Sequence, residues 1–168
     1  MTLPNWITLA RLLLIVPMVY FLEVAGGDRW ALAFFLAASL TDWVDGYLAR
    51  KLKQTSVLGA LLDPLADKIL VTGALVGLVH QALVPAWTVT LVLGREFLVT
   101  GLRTAAINAG IVLSASMTGK IKTTLQMIAI ALLLANLRPY GSWVWDLAVV
   151  MTLYSGGEYL WQTRRIWV

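Results

Sequence analysis

Six apolar segments, each close to the length of a membrane-crossing helix, constrain the fold of this chain more than any other feature. A helix needs about 20 predominantly apolar residues to cross a bilayer. Polar or glycine-containing turns separate the segments, and only 13% of residues are charged, whereas soluble domains are about a quarter charged. We predict an all-α, polytopic membrane protein, a six-transmembrane-helix bundle in a single domain of residues 1–168. The predicted spans are about 7–24, 30 to an acidic motif at 42, 57–79, 86–108, 120–137 and 143–161.

The basic residues are unevenly distributed between the two ends of these spans. With the N-terminus inside, Arg29 and Arg138 lie outside the cell, and eight other cations lie on or near the cytoplasmic side. Cytoplasmic loops typically carry an excess of Lys and Arg. We therefore predict a multi-pass protein of the cell (inner) membrane with both termini cytoplasmic. The net charge of +4 fits this topology and gives no reason to expect a nucleic-acid partner. The cytoplasmic cations are Arg50, Lys51, Lys53, Arg103, Lys120, Lys122, Arg164 and Arg165.

Four aspartates within one short window stand out against this apolar background. Asp42 and Asp45 are three residues apart, and Asp63 and Asp67 are four apart, so each pair lies on one face of a helix. Four carboxylates at close range in a low dielectric need compensation, either by protonation or by divalent cations. Carboxylate oxygens are preferred ligands of Mg²⁺, Mn²⁺ and Ca²⁺. Because the chain has no cysteine, thiolate catalysis and cysteine metal sites are excluded.

Small residues and a cation accompany the four acids. Gly46, Ala49 and Gly59 lie one turn from an aspartate, which leaves room for a ligand or for close helix packing. Arg50 follows the acids at the membrane interface. Arg50 is suited to bind a phosphate. Alternatively, it is one of the basic residues that mark the cytoplasmic side of a membrane protein. Pro64 cannot donate to the carbonyl of Ala60, which predicts a kinked or loosened third helix.

Together these residues resemble the signature of the CDP-alcohol phosphatidyltransferase family. The pattern reads Asp42–x2–Asp45–Gly46–x2–Ala49–Arg50–x8–Gly59–x3–Asp63–x3–Asp67, with all eight fixed positions present. Asn5, Thr8 and Arg11 resemble the N-x-x-T-x-x-R opening of many members. The stretches REFLVTGLRTAA and GKIKTTLQM, residues 95–106 and 119–127, resemble the phosphatidylglycerophosphate synthase branch.

The resemblance implies a membrane enzyme, usually a homodimer, with six helices and a cytoplasm-facing polar cavity. It would transfer a phosphatidyl group from CDP-diacylglycerol to sn-glycerol 3-phosphate, releasing CMP. Two divalent metal ions, Mg²⁺ or Mn²⁺, would be held by the four aspartates, and Asp67 would also act as the general base. The metal ligands are then Asp42, Asp45, Asp63 and Asp67. The donor side would be lined by Asn5, Thr8, Asp45, Gly46, Ala49, Arg50 and Gly59.

Glycerol 3-phosphate carries a phosphate, so a second basic pocket is expected. Our candidate ligands lie on the fourth and fifth segments. These residues could instead mark the membrane topology, and Arg95 could instead form an internal ion pair with Glu96 or other neighbours. Cations at a helix start oppose the helix dipole, which favours a ligand role for Lys120 and Lys122. The candidate acceptor-phosphate ligands are Arg95, Arg103, Lys120, Lys122 and Thr123.

Three other functions remain open from the sequence. The same donor could react with inositol phosphate, serine or another alcohol, although the basic stretches favour a phosphorylated acceptor. Aspartates within spans also suit a divalent-cation transporter, but the four acids lie near one face and no acidic path reaches the other. A non-catalytic assembly or lipid-binding protein is the third alternative. The substitution Asp67→Asn would leave the function of such a protein intact.

Overall fold

A computed structural model describes the backbone of residues 3–52, 57–108 and 116–164. Within these ranges the side chains of residues 3–5, 42–52, 57, 58, 60, 61 and 108 are not described. The described chain forms six α-helices and no strand, so the predicted all-α class with six helices is confirmed. The helices are α1 (Leu3–Glu23), α2 (Asp28–Leu52), α3 (Val57–His80), α4 (Ala86–Asn108), α5 (Met117–Leu134) and α6 (Arg138–Thr163).

The boundaries differ from the predicted ones mainly where proline or serine starts a helix. The expected turn at residues 138–141 is wrong, because α6 already begins at Arg138 with Pro139 in its first turn. Proline fits there, since its missing N–H would have no partner inside the helix. Helix α5 begins at Met117 because the Ser116 hydroxyl accepts a hydrogen bond from the Gly119 amide at 3.2 Å. Helix α3 runs through Pro64.

Tight turns at one end of the bundle join α1 to α2, α3 to α4 and α5 to α6. Each turn contains a residue with positive φ, namely Gly26 (77°), Ala82 (53°) and Asn136 (61°). Gly27 admits no side chain, because a Cβ there would lie 2.1 Å from the Phe21 carbonyl oxygen. Gln81 connects the α3–α4 turn to the α1–α2 turn, because its side chain donates to the Leu22 carbonyl at 3.0 Å and to Asp28 Oδ1 at 2.8 Å.

The apolar core fills the half of the bundle next to these turns. All six helices or their turns contribute buried side chains to it. Inside it, Trp145 Nε1 of α6 donates to Thr88 Oγ1 of α4 at 3.1 Å. The main buried side chains are Met18, Leu22, Phe35, Leu70, Leu75, Leu78, Ile130, Leu133, Leu134 and Trp145.

The glycine pair Gly73 and Gly77 on α3 belongs to this core. A Cβ at Gly77 would lie 2.5 Å from Leu22 Cδ1, and one at Gly73 would lie 3.1 Å from Val19 Cγ2. The G-x-x-x-G spacing therefore allows α1 to pack closely on α3 within one subunit, an assignment that the sequence left open.

Large apolar side chains also cover the outside of the bundle, for example Leu13, Val16 and Val76. By length and hydropathy, two of the described helices could cross a membrane, over Trp6–Glu23 and Met117–Leu134. The first lies near the N-terminus. Six membrane crossings therefore remain a prediction.

Candidate functional site

Two of the four predicted metal ligands, Asp63 and Asp67, lie one turn apart on α3 and are partly buried. Thr8 of α1 is fully buried and donates its hydroxyl to Asp63 Oδ1 at 2.6 Å. Gly59, one turn before Asp63, is also buried. Thr8 was predicted on the donor side, and the structure places it against a predicted metal ligand. A hydrogen bond of this kind fixes the orientation of a carboxylate.

The other predicted ligands of the donor and the metals fall on side chains outside the described part of the chain. They are Asn5, Asp42, Asp45, Gly46, Ala49 and Arg50. Among the described side chains there is no group of three or more His, Cys, Asp or Glu residues that could hold a metal ion. Asp63 and Asp67 supply two carboxylates to the predicted set. Their oxygen chemistry fits Mg²⁺ or Mn²⁺.

A cavity of about 610 Å³ opens beside Asp67, between α3, α4, α5 and α6. It is lined by Asp67 together with all five residues predicted to bind the acceptor phosphate. Among the described lining residues, five cations outnumber two carboxylates. The cavity therefore suits an anionic molecule. The charged lining residues are Asp67, Lys68, Arg95, Glu96, Arg103, Lys120 and Lys122.

Ion pairing fixes the deeper cations of this cavity. Lys122 is only 2% exposed and donates a short hydrogen bond to Glu96 Oε1. Arg95 Nη1 donates to the same oxygen at 3.2 Å. A buried charge needs such a partner, since an unpaired one would be expensive to desolvate. Lys68, which follows Asp67 in the chain, donates to Thr100 Oγ1 at 2.6 Å.

A second, smaller cavity of about 40 Å³ lies deeper and shares Asp67, Glu96 and Lys122 with the first. Gln126, which is buried and donates to Thr152 Oγ1 at 3.2 Å, also lines it. This volume is enough for a water molecule with polar partners. The polar environment of Asp67 therefore extends below the main cavity.

Helix α6 supplies a cavity residue that the sequence reasoning missed. Tyr159 lines the main cavity, and its hydroxyl accepts a hydrogen bond from Arg103 Nη2 at 2.7 Å. Glu158 accepts a short hydrogen bond from Thr118 at the start of α5. A usable signal existed in Ser155, Glu158 and Tyr159, which are polar side chains within the predicted sixth span.

Comparison with known proteins agrees with this geometry. The family model described as CDP-alcohol phosphatidyltransferase matches residues 1–154. The chain belongs to the CDP-alcohol phosphatidyltransferase family. The proposed resemblance is thereby confirmed.

Several relatives in this family carry one name, CDP-diacylglycerol–glycerol-3-phosphate 3-phosphatidyltransferase. The protein from Bacillus subtilis (strain 168) is 45% identical, and the match covers 94% of this chain and 92% of the relative. The protein from Pseudomonas fluorescens is 38% identical, over 96% of this chain and 86% of its own. The protein from Escherichia coli (strain K12) is 37% identical, with coverage of 94% and 92%. Within the family, the chain is thus similar to this group along nearly its whole length.

Proposed function

We propose that this protein transfers the phosphatidyl group of CDP-diacylglycerol to sn-glycerol 3-phosphate, producing phosphatidylglycerophosphate and CMP. The observation that carries the proposal is the cavity that Asp67 lines together with Arg103, Lys120 and Lys122. A carboxylate beside a cluster of cations suits an acceptor that has both a reacting hydroxyl and a phosphate. The shared name of the relatives supports the same reaction.

In the proposed chemistry, an acceptor hydroxyl attacks the phosphorus atom that carries diacylglycerol. A new oxygen–phosphorus bond forms, the bond from that phosphorus to CMP breaks, and the hydroxyl proton passes to Asp67. A general base must lie within hydrogen-bond reach of this proton, and the cavity gives Asp67 that access. Phosphoryl transfer depends mainly on positioning and charge stabilisation, which the cations provide at the acceptor end.

Two divalent ions would be held by Asp42, Asp45, Asp63 and Asp67, of which Asp63 and Asp67 are described. When bound, such ions neutralise the diphosphate of the donor and stabilise the CMP leaving group. The hydrogen bond from Thr8 would keep Asp63 oriented in this set. The donor would lie on the side of Asn5, Thr8, Asp45, Gly46, Ala49, Arg50 and Gly59.

The membrane setting belongs to the same proposal. We infer six spans in one domain, residues 1–168, in the cell membrane, with the cavity and both termini on the cytoplasmic side. Apolar side chains on the outer helix faces and the basic residues around the cavity support this arrangement. A homodimer is proposed from the family alone.

The deciding experiment measures CMP release by the purified protein with CDP-diacylglycerol, Mg²⁺ or Mn²⁺, and a panel of acceptors. We expect metal-dependent release with glycerol 3-phosphate and little with inositol phosphate or serine. Release with inositol phosphate alone would transfer the assignment to that acceptor. Metal flux into liposomes without CMP release would favour a divalent-cation transporter.

A further inference from the structure

One face of α6 holds both arginines of α4 that line the main cavity. Arg95 Nη2 donates to Ser155 Oγ at 2.9 Å, and Arg103 Nη2 donates to Tyr159 Oη at 2.7 Å. Ser155 and Tyr159 are one helical turn apart and almost completely buried, at 0% and 2% exposure. The two hydrogen-bonding groups therefore lie on a rigid, packed surface.

The ring of Tyr159 contacts both guanidinium groups. The Cζ atoms of Arg95 and Arg103 lie 5.6 and 5.7 Å from its centroid. Cations within about 6 Å of an aromatic face are attracted to it, most strongly where water is excluded. The Arg95 side chain also passes close to the helix backbone, since a Cβ on Gly156 would lie 3.1 Å from Arg95 Cγ. One aromatic ring thus fixes the relative placement of two positive charges.

Fixing an arginine before a ligand arrives has a direct effect on binding. A free arginine side chain loses considerable rotamer entropy when it is immobilised by a ligand. Arg103 is exposed to the cavity and is already held by Tyr159, so less side-chain entropy is lost when a substrate binds to it. A guanidinium group has five N–H donors, and Tyr159 takes one from Arg103. The remaining N–H groups can donate to two oxygens of one phosphate.

We propose that Tyr159, assisted by Ser155 and Gly156, is a positioning residue that fixes Arg95 and Arg103 for the phosphate of the acceptor. The inference rests on the proposed function, because it uses the same cavity. It goes further by assigning acceptor specificity to α6, a helix that contributes none of the four aspartates. Tyr159 acts through the arginines and takes no part in proton transfer.

The test compares Tyr159→Phe with Tyr154→Phe, which changes an exposed tyrosine on the same helix. Loss of a hydrogen bond to a charged group should raise KM for glycerol 3-phosphate about tenfold in Tyr159→Phe. We expect kcat and KM for CDP-diacylglycerol to change less than twofold. Tyr154→Phe should match the unmodified protein. Equal KM values for glycerol 3-phosphate in Tyr159→Phe and the unmodified protein would overturn the proposal.

A double-mutant cycle separates positioning from general stabilisation. Arg103→Lys removes the guanidinium group that Tyr159 holds, so adding Tyr159→Phe to it should raise KM by less than twofold further. A full tenfold further increase would show that Tyr159 acts independently of Arg103. Gly156→Ala provides a second variant that crowds Arg95 and should also raise KM for the acceptor. Thermal unfolding of each variant checks that the bundle is intact.

The outcomes also distinguish this inference from the proposed function. If Arg103→Ala and Lys120→Ala leave KM for glycerol 3-phosphate unchanged, the acceptor site itself is wrong. If those variants raise KM while Tyr159→Phe does not, the acceptor site stands and the positioning role of Tyr159 is wrong.

Discussion

The two halves of the bundle are held together by different kinds of contact. Near the three tight turns, the contacts are mainly non-directional apolar ones between buried side chains such as Phe35, Leu75, Leu134 and Trp145. Trp145 also donates a hydrogen bond to Thr88. In the other half, buried Lys122 and half-buried Glu96 form directional contacts around a cavity. Apolar packing tolerates changes that keep volume, whereas a polar network fails when one partner is removed. The contrast locates function in the polar half.

The largest effect should come from Asp67→Asn, which keeps the shape of the side chain and removes its basicity. Loss of a general base typically lowers the rate by about 10²–10⁴-fold. We expect turnover to fall by this amount, with a smaller loss of CDP-lipid binding, as measured by CMP release and lipid binding. Asp146→Asn, on an exposed position of α6, is the matched control. Normal turnover in Asp67→Asn would remove this residue from the mechanism.

Asp63→Asn should weaken metal binding, since the carboxylate is a proposed metal ligand. Thr8→Val should have a smaller effect, about tenfold in metal affinity, because it removes only the hydrogen bond that orients Asp63. Titration of Mn²⁺ followed by thermal shift would measure both. Asp28→Asn is a suitable control, since Asp28 also accepts a side-chain hydrogen bond, from Gln81, but lies at the apolar end. An unchanged titration for Asp63→Asn would argue against the two-metal site.

Lys120→Ala should raise KM for glycerol 3-phosphate several-fold and leave KM for the donor nearly constant. Lys120 is exposed and lines the cavity, so its ammonium group is accessible to an anion. Initial-rate kinetics with each substrate varied in turn would measure the two constants. A larger change in the donor constant would assign Lys120 to the CDP side.

The smallest change in activity should come from Gly77→Ala in the apolar half. Its Cβ would overlap the side chain of Leu22, and overpacking of this kind costs about 1–3 kcal/mol of stability. We expect a lower Tm with both KM values unchanged. Gly94→Ala is the matched control for stability, since a Cβ there meets no described atom within 4 Å. A changed acceptor KM in Gly77→Ala would mean that the two halves are coupled.

Hydrophobic runs and charge spacing were enough to predict six helices and to group the acids of α3. Of the five described cations that line the cavity, the sequence predicted Arg95, Arg103, Lys120 and Lys122 as acceptor ligands and left out Lys68. It missed Tyr159, since an aromatic residue near the end of a span is more often an interfacial anchor. Its partners Arg95 and Arg103 are 64 and 56 positions away in the chain, and no local pattern links them. The start of α6 was missed because Pro139 was interpreted as a turn residue.

The short turn between α5 and α6 makes these helices a hairpin, and the hairpin contributes Lys120, Lys122 and Tyr159 to the cavity. Asp67 and Arg103 line the same cavity from α3 and α4. A ligand that contacts residues of both helix pairs would connect the hairpin to α3 and α4. Binding of the ligand would then stabilise the packing of the four helices around it, and its release would remove that stabilisation.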